Sequence, residues 1–183
     1  NITKLNFNNN FILSGMNLAF LGSLSQKLVN LSKNYLHWPD GLFVKNFDMM
    51  IKKIPGRTII RDLKIPNGIK SILVIGNLSK HNNEFLIQKY KLPLYNHELP
   101  YGNIEKLKKG LPKTREDQLI FITLPTPKQE QLAEYMASTN DYFRIICIGA
   151  SISISSGEEK QVPEFLESIG GEFVWRLRTD TFR

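Results

Sequence analysis

Residues 71–77 read Ser71-Ile72-Leu73-Val74-Ile75-Gly76-Asn77, and this stretch decides the fold. Ile72 to Ile75 is apolar at every position, so the strand it predicts has no face to offer water. Continuous runs of this kind belong to strands buried on both sides of a parallel sheet. Gly76-Asn77 ends the run with turn residues, and Phe85, Leu86 and Tyr90 follow at helical spacing. The same succession recurs downstream. Leu119 to Leu124 is a second buried strand, Pro125-Thr126-Pro127 a turn, and Lys128 to about Ala137 a helix. Phe143 to Ile148 is a third strand, ending at Gly149. Between them, Leu92-Pro93-Leu94-Tyr95 reads as a short edge strand, and Ile104–Leu111 as a helix with Gly110 and Pro112 around its end.

Upstream, Phe11-Ile12-Leu13 with Met16-Asn17-Leu18 predicts a first strand broken at Gly15. Ser23 is placed to cap a helix carrying Leu24, Leu28, Val29 and Leu31. Leu36 and Trp38 alternate with polar neighbours as a short strand would, and Pro39, with no N–H to donate, ends its ladder. From Gly41, the residues Leu42, Phe43, Phe47, Met50 and Ile51 fit one face of a helix. The Lys-rich residues 52–70 are punctuated by Pro55, Gly56, Pro66 and Gly68 and read as loop with short helical pieces. Glu164–Ile169 and Glu172–Arg178 read as the final helices. Strands alternating with helices argue for an α/β fold, a mainly parallel sheet with helices on both faces.

Composition agrees with one domain able to bury its own core: 183 residues, 42% hydrophobic and 22% charged. No apolar run is long enough to span a bilayer. The N-terminus lacks the basic region, apolar core and small-residue cleavage site of a secretory signal. The lone Cys147 cannot form an internal disulfide, which suits a reducing compartment, and its apolar run Ile145–Ile148 marks it as a small core residue. The net charge of +7 is uneven: residues 1–70 hold ten Lys/Arg against three Asp/Glu, whereas residues 71–183 hold fourteen of each. Such a field fits an anionic partner (nucleic acid, phospholipid surface or phosphorylated substrate) or simply a solvated basic surface. Residues 1–70 carry no recognised nucleic-acid-binding motif, so nucleic acid is the weaker of those partners.

Asp40 stands out within that basic half. It sits between the end of a strand and the start of a helix, and ligands of open α/β sheets bind at that edge. Two readings stay open for it: an N-cap and nothing more, or a site carboxylate. Other chemistries have no foothold. The chain has no P-loop, no Gly-x-Gly-x-x-Gly after the first strand and no Gly-x-Ser-x-Gly elbow. His37, His81 and His97 are scattered without cysteine partners, which argues against structural zinc, and no Asp-x-Asp pair is present to hold a divalent ion on a diphosphate. An anionic substrate would have to be met by Arg, Lys and backbone N–H groups. Pro127-Lys128-Gln129-Glu130 brings a cation, an amide and a carboxylate to a helix start on the edge that carries Asp40; an ordinary helix start reads the same way. Gly170 to Arg183 interleaves aromatics with arginines, as phosphate pairing, a membrane interface or a terminal helix docked on the core would require.

Taken in order, these pieces resemble the WecG/TagA/CpsF glycosyltransferases (glycosyltransferase family 26), from about Asn17 to Arg183. Asn17 matches the asparagine ending the family's first strand, Pro39-Asp40-Gly41 its Asp-Gly motif, and Pro55-Gly56-Arg57 with Asp62-Leu63 its arginine and later aspartate. Ile75-Gly76 matches its glycine turn and Pro127-Lys128-Gln129-Glu130 its most recognisable tetrapeptide. Gly149 and Ser156-Gly157 fall on later glycines and Pro163 on its proline. Gly170 to Arg183 follows its C-terminal signature, placing Glu172, Arg176 and Arg183. Gly15, Ile60, Thr123, Pro125, Ser153, Gln161, Phe173 and Thr181 depart from the family's usual residues, so the chain looks like a divergent member.

The resemblance implies a Rossmann-like core over residues 1–170 and a helical arginine-aromatic appendage over 171–183. It implies an inverting, metal-independent transferase without a cofactor, peripheral at the cytoplasmic face of the cell membrane. Its reaction would move a sugar such as N-acetylmannosamine or a uronic acid from a UDP-sugar to an undecaprenyl-diphosphate-linked acceptor, in cell-envelope polysaccharide synthesis. By carry-over Asp40 is the general base. The substrate-binding set is Asn17, Arg57, Asp62, Gly76, Gln129, Glu130, Gly149, Arg176 and Arg183, with the last two on the diphosphate. A carboxylate at a helix start is stabilised in its charged form, whereas a base gains from a raised pKa, so Asp40 either is offset by burial or mainly orients the acceptor. The alternative reading is a homologue that binds a UDP-sugar or an envelope-synthesis partner without turnover. A homo-oligomer is compatible with either.

Overall fold

The computed structural model describes residues 5–41 and 51–160. In chain order they form β1 (Phe11–Met16), α1 (Leu18–Ser25), β2 (Tyr35–Pro39), α2 (Gly56–Asp62), β3 (Ser71–Ile75), α3 (Lys80–Tyr90), β4 (Leu94–His97), α4 (Ile104–Lys108), β5 (Gln118–Ile122), α5 (Lys128–Thr139), β6 (Arg144–Cys147) and α6 (Ser151–Ser156). The strands make one six-stranded sheet in the order β2-β1-β6-β5-β3-β4, with every neighbouring pair parallel. This is the α/β arrangement that the alternating pattern predicts, and it is Rossmann-like, as the resemblance implies.

Each strand's side chains divide between two cores because successive residues point to opposite faces. Ile12, Ile120, Ile122 and Ile145 join Phe20 of α1, Leu107 of α4 and Leu132, Ala133 and Met136 of α5 on one face. Leu13, Ile72, Val74, Phe121 and Ile146 join Ile59 and Ile60 of α2, Leu86 of α3 and Ile152 of α6 on the other. The helices thus lie three to a face, and β3, β5 and β6 are buried along their whole length. Truncating one such fully buried Leu or Ile to Ala costs about 2–5 kcal/mol. β2 and β4 are the edges, where Leu36 and Tyr95 remain exposed.

Four local expectations change. Gly15 does not break β1; the strand runs through it, with Gly15 opposite Trp38 in the register. Its missing side chain is needed for packing, since a Cβ there would lie 3.0 Å from Trp38 Cζ2 and 3.1 Å from Asp40 Cβ. Pro39 does not end the pairing of β2, because the Asp40 N–H still donates to Met16 O at 3.1 Å. Ser23 is not a cap: Asn17 caps α1, and Ser23 Oγ donates back to Ala19 O inside the helix. Leu28, Val29 and Leu31 therefore follow the helix, though Val29 is still buried. Finally, α6 forms where the pattern gives no helix. Ser155 Oγ donates to Ser151 O, and Gly157 closes it in the left-handed conformation at φ +83°. The helix expected from Gly41 to Ile51 and those expected over 164–169 and 172–178 lie wholly or mostly outside the described residues, as do residues 171–183 of the appendage.

Candidate functional site

Because all the strands run in the same direction, their C-terminal ends share one edge of the sheet, where polar residues follow buried strands. β1 and β2 deliver Asn17 and Asp40 side by side. Asn17 uses both ends of its amide: Oδ1 accepts from Phe20 N at 3.0 Å, capping α1, and Nδ2 donates to Asp40 Oδ2 in a long bond of 3.3 Å. The asparagine that begins α1 therefore also orients the Asp40 carboxylate. Gly41, at φ +101°, lets the chain turn away directly behind it.

The next chain segment returns to the same edge. Ile54 N donates to Pro39 O at 2.7 Å, and α2 starts at Gly56 with Arg57 in its first turn. Gly56 lies so close to α6 that a Cβ would fall 2.1 Å from Ser151 Oγ. Arg57 is thereby carried between the ends of β2 and β6. Asp62 is not brought with it. It stands at the far end of α2, exposed, where the Arg61 guanidinium pairs with it and holds its carboxyl below the usual carboxylate range.

Toward the middle of the sheet, Gln129 and Glu130 open α5. Glu130 is fully buried: Oε1 accepts from Ser14 Oγ at 2.8 Å, Gln129 Nε2 at 2.9 Å and Thr126 Oγ1 at 3.1 Å. Its Oε2 is buried with no hydrogen-bond partner among the described residues. Burial pushes the carboxyl above its ordinary range, and the bonds from Ser14, Gln129 and Thr126 oppose this. Gln129 also donates to Thr126 Oγ1, and its Oε1 accepts from Gly149 N at 3.1 Å. That bond ties the start of α5 to the loop after β6. Beneath the edge, Tyr35 OH donates to Glu134 Oε1 at 3.2 Å. Burial pushes the Tyr35 phenol and the Cys147 thiol up, so both stay neutral.

Gly76 closes the end of β3 in a conformation only glycine adopts readily, φ +135°, and a Cβ there would sit 2.0 Å from Thr123 Oγ1. Thr123 thus occupies space that Gly76 leaves. Beyond it a cavity of about 700 Å³ opens beside Ser79, Lys80, Asn83, Asn96 and His97.

The structure therefore brings Asn17, Asp40, Arg57, Gly76, Gln129 and Gly149 to one edge, with Glu130 buried just below it. Asp62 is held elsewhere, and Arg176 and Arg183 lie outside the described residues. Sequence reading missed Ser14, Gly15 and Thr126. Ser14 had a signal, a hydroxyl inside an otherwise apolar strand; Gly15 and Thr126 acquire meaning only through contacts with distant residues. Among the described residues no group of three His, Cys, Asp or Glu gathers, and no helix is long and apolar enough to cross a membrane.

No curated protein matches this chain. Residues 106–183, which include α5 with its Gln129-Glu130 pair, β6 and the arginine-bearing C-terminus, match the model of the glycosyl transferase WecG/TagA/CpsF family.

Proposed function

We propose that the protein is an inverting glycosyltransferase of cell-envelope polysaccharide synthesis. It moves a sugar such as N-acetylmannosamine or a uronic acid from a UDP-sugar to an undecaprenyl-diphosphate-linked acceptor. The family match supports transferase chemistry in that pathway. The observation that supports the residue assignment is the position of Asp40 at the C-terminal edge of the parallel sheet, where α/β folds commonly bind ligands, with its carboxylate held by Asn17.

In this reading the acceptor hydroxyl attacks the anomeric carbon and passes its proton to Asp40. The bond from that carbon to the diphosphate breaks on the opposite side, and UDP leaves with the electron pair. Negative charge grows on the diphosphate as that bond breaks. Cations held in place before the reaction stabilise it most where the charge develops, a role that falls to Arg57 with Arg176 and Arg183. Gln129, Gly149 and Gly76 shape the floor beneath the donor. Neutralisation by arginine makes the reaction independent of a divalent ion. The basic excess of residues 1–70 supports work at an anionic membrane surface, reached from the cytoplasmic side, with residues 171–183 as an appendage to the core.

A panel of UDP-sugars, assayed for UDP release with a short-chain lipid-diphosphate acceptor, tests this. One donor should support acceptor-dependent release, and Arg57→Ala should weaken UDP binding in calorimetry about tenfold, the worth of one charge-assisted contact. Binding of a UDP-sugar with no transfer across the panel would favour a non-catalytic homologue, and no binding of any would reject both.

A further inference from the structure

We propose that Glu130 is a positioning residue and not a substrate contact: its carboxyl fixes the orientation of the Gln129 amide, and through it the loop after β6. The kinetic part of this inference rests on the transferase reading; the structural part does not.

Glu130 is 0% exposed, so a substrate on the sheet edge cannot touch its carboxyl. One oxygen collects donors from three separate places: Ser14 in β1, Thr126 in the turn before α5, and Gln129 in α5 itself. A side-chain amide can be held in either of two orientations, and its neighbours decide which. Here Nε2 of Gln129 faces two acceptors, Glu130 Oε1 at 2.9 Å and Thr126 Oγ1 at 3.1 Å, while Oε1 faces the Gly149 N–H at 3.1 Å, a donor it shares with Ile122 O at 3.3 Å. A flipped amide would set its oxygen against the carboxyl oxygen and its NH2 against an N–H, donor to donor. Thr126 alone does not settle the matter, since a hydroxyl can donate or accept. Glu130 Oε1, already accepting from Ser14, offers only acceptance to the amide. The carboxyl and the Gly149 N–H, one only accepting and the other only donating, therefore select the same orientation; the carboxyl is the one that a side-chain substitution can remove, and Gly149, at φ +54° between β6 and α6, is the group that receives its effect.

Glu130→Gln keeps a carbonyl oxygen where Oε1 sits and preserves the orientation, whereas Glu130→Met keeps the bulk and removes the acceptor. Hydrogen exchange of the Gly149 amide, followed by NMR on the whole chain, reads this without any substrate. Exchange should rise about twofold to fivefold in Glu130→Met and in Gln129→Met, the lower part of the range for one hydrogen bond because Ile122 O still accepts from the same N–H, and stay near wild type in Glu130→Gln. Should Glu130→Met fail to fold, Glu130→Asp, which withdraws the acceptor by one methylene, is read in the same way. The kinetic arm compares kcat/KM across Glu130→Met, Gln129→Met and the double variant. A residue acting only through Gln129 makes the double variant no worse than Gln129→Met, and a direct substrate contact makes the losses multiply. Unchanged Gly149 exchange in the acceptor-free variants, or multiplying losses, overturns the proposal. Absence of transfer by the wild type would overturn the transferase reading and leave the exchange result to decide the role of Glu130.

Discussion

Replacing Ser14 with Ala removes one of the three donors that hold Glu130, and the consequence can be worked from the structure. The hydroxyl lies wholly inside the protein and donates at 2.8 Å to a carboxyl oxygen that water does not reach. Loss of such a bond costs about 1–2 kcal/mol. For a chain of this length each kcal/mol lowers Tm by about 2–4 °C, so a drop of about 2–8 °C is expected. The drop should also depend on pH. Burial already lifts the Glu130 carboxyl above its unfolded value of 4.5, and the Ser14 bond is the largest effect opposing that rise. Without it the folded pKa climbs further. A raised folded pKa means that the native state holds a proton which the unfolded state releases. The resulting stability is fully present below about pH 4.5 and lost as pH rises through the folded pKa. The variant, forced either to ionise Glu130 with fewer donors or to keep it protonated, should therefore lose more at pH 8 than at pH 5. Among the described residues, the other titratable groups around Ser14 and Glu130 are Tyr35 and His37 from β2, Cys147 from β6 and Glu134 on the next turn of α5. Tyr35 and Cys147 stay neutral across this range, while Glu134 and His37, whose imidazole burial holds below its ordinary range, are common to both proteins. Thermal unfolding of the two proteins at both pH values decides the matter. A deficit that is equal at both, or larger at pH 5, would mean that Ser14 does not help hold charge on Glu130.

Gly76→Ala should destabilise by about 2–4 kcal/mol, because it strains the backbone and drives a methyl into Thr123 Oγ1. Adding Thr123→Ala should restore only the steric part, leaving about 1–3 kcal/mol of strain, as denaturant unfolding of both variants would show. Gly15→Ala crowds Trp38 and Asp40 and should cost about 1–3 kcal/mol, with a fall in UDP release beyond what the remaining folded fraction explains. Ser79→Ala removes the cap of α3, whose Oγ accepts from Asn82 N at 3.1 Å; a loss of about 1 kcal/mol is expected in thermal unfolding.

The buried strands were legible because nothing but burial explains four-residue apolar runs such as Ile72–Ile75, Leu119–Ile122 and Ile145–Ile148. Their parallel order followed from the helices between them. Asp40 was legible as an edge residue, since Pro39 and Gly41 bracket it, and Gln129 through its place at a helix start. What the chain did not announce depends on partners far away in sequence. Gly15 looked like a strand break because glycine usually weakens strands, and only the closeness of Trp38 and Asp40 shows why it stays in one. Ser23 looked like a cap, but Asn17 lies where β1 ends and takes that place. The serine-rich segment 151–156 has no strong helical pattern, and α6 forms on tertiary contact with α2 and α3, as Gly56 against Ser151 and Asn82 against Ser153 illustrate. Glu130 carried a motif's expectation of substrate contact, and no local pattern tells a buried carboxyl from an exposed one at a helix start.

Whether Asp40 takes the acceptor proton in a sugar transfer comes down to one comparison. Wild type and Asp40→Asn, which keeps the shape of the side chain and removes its basicity, are given a UDP-sugar and a short-chain lipid-diphosphate acceptor, with UDP release measured and folding checked by thermal unfolding. Acceptor-dependent release is expected from the wild type, and a fall of about 10²–10⁴-fold in the variant at nearly unchanged Tm, the contribution usual for a general base. Full activity in Asp40→Asn would remove Asp40 from that role.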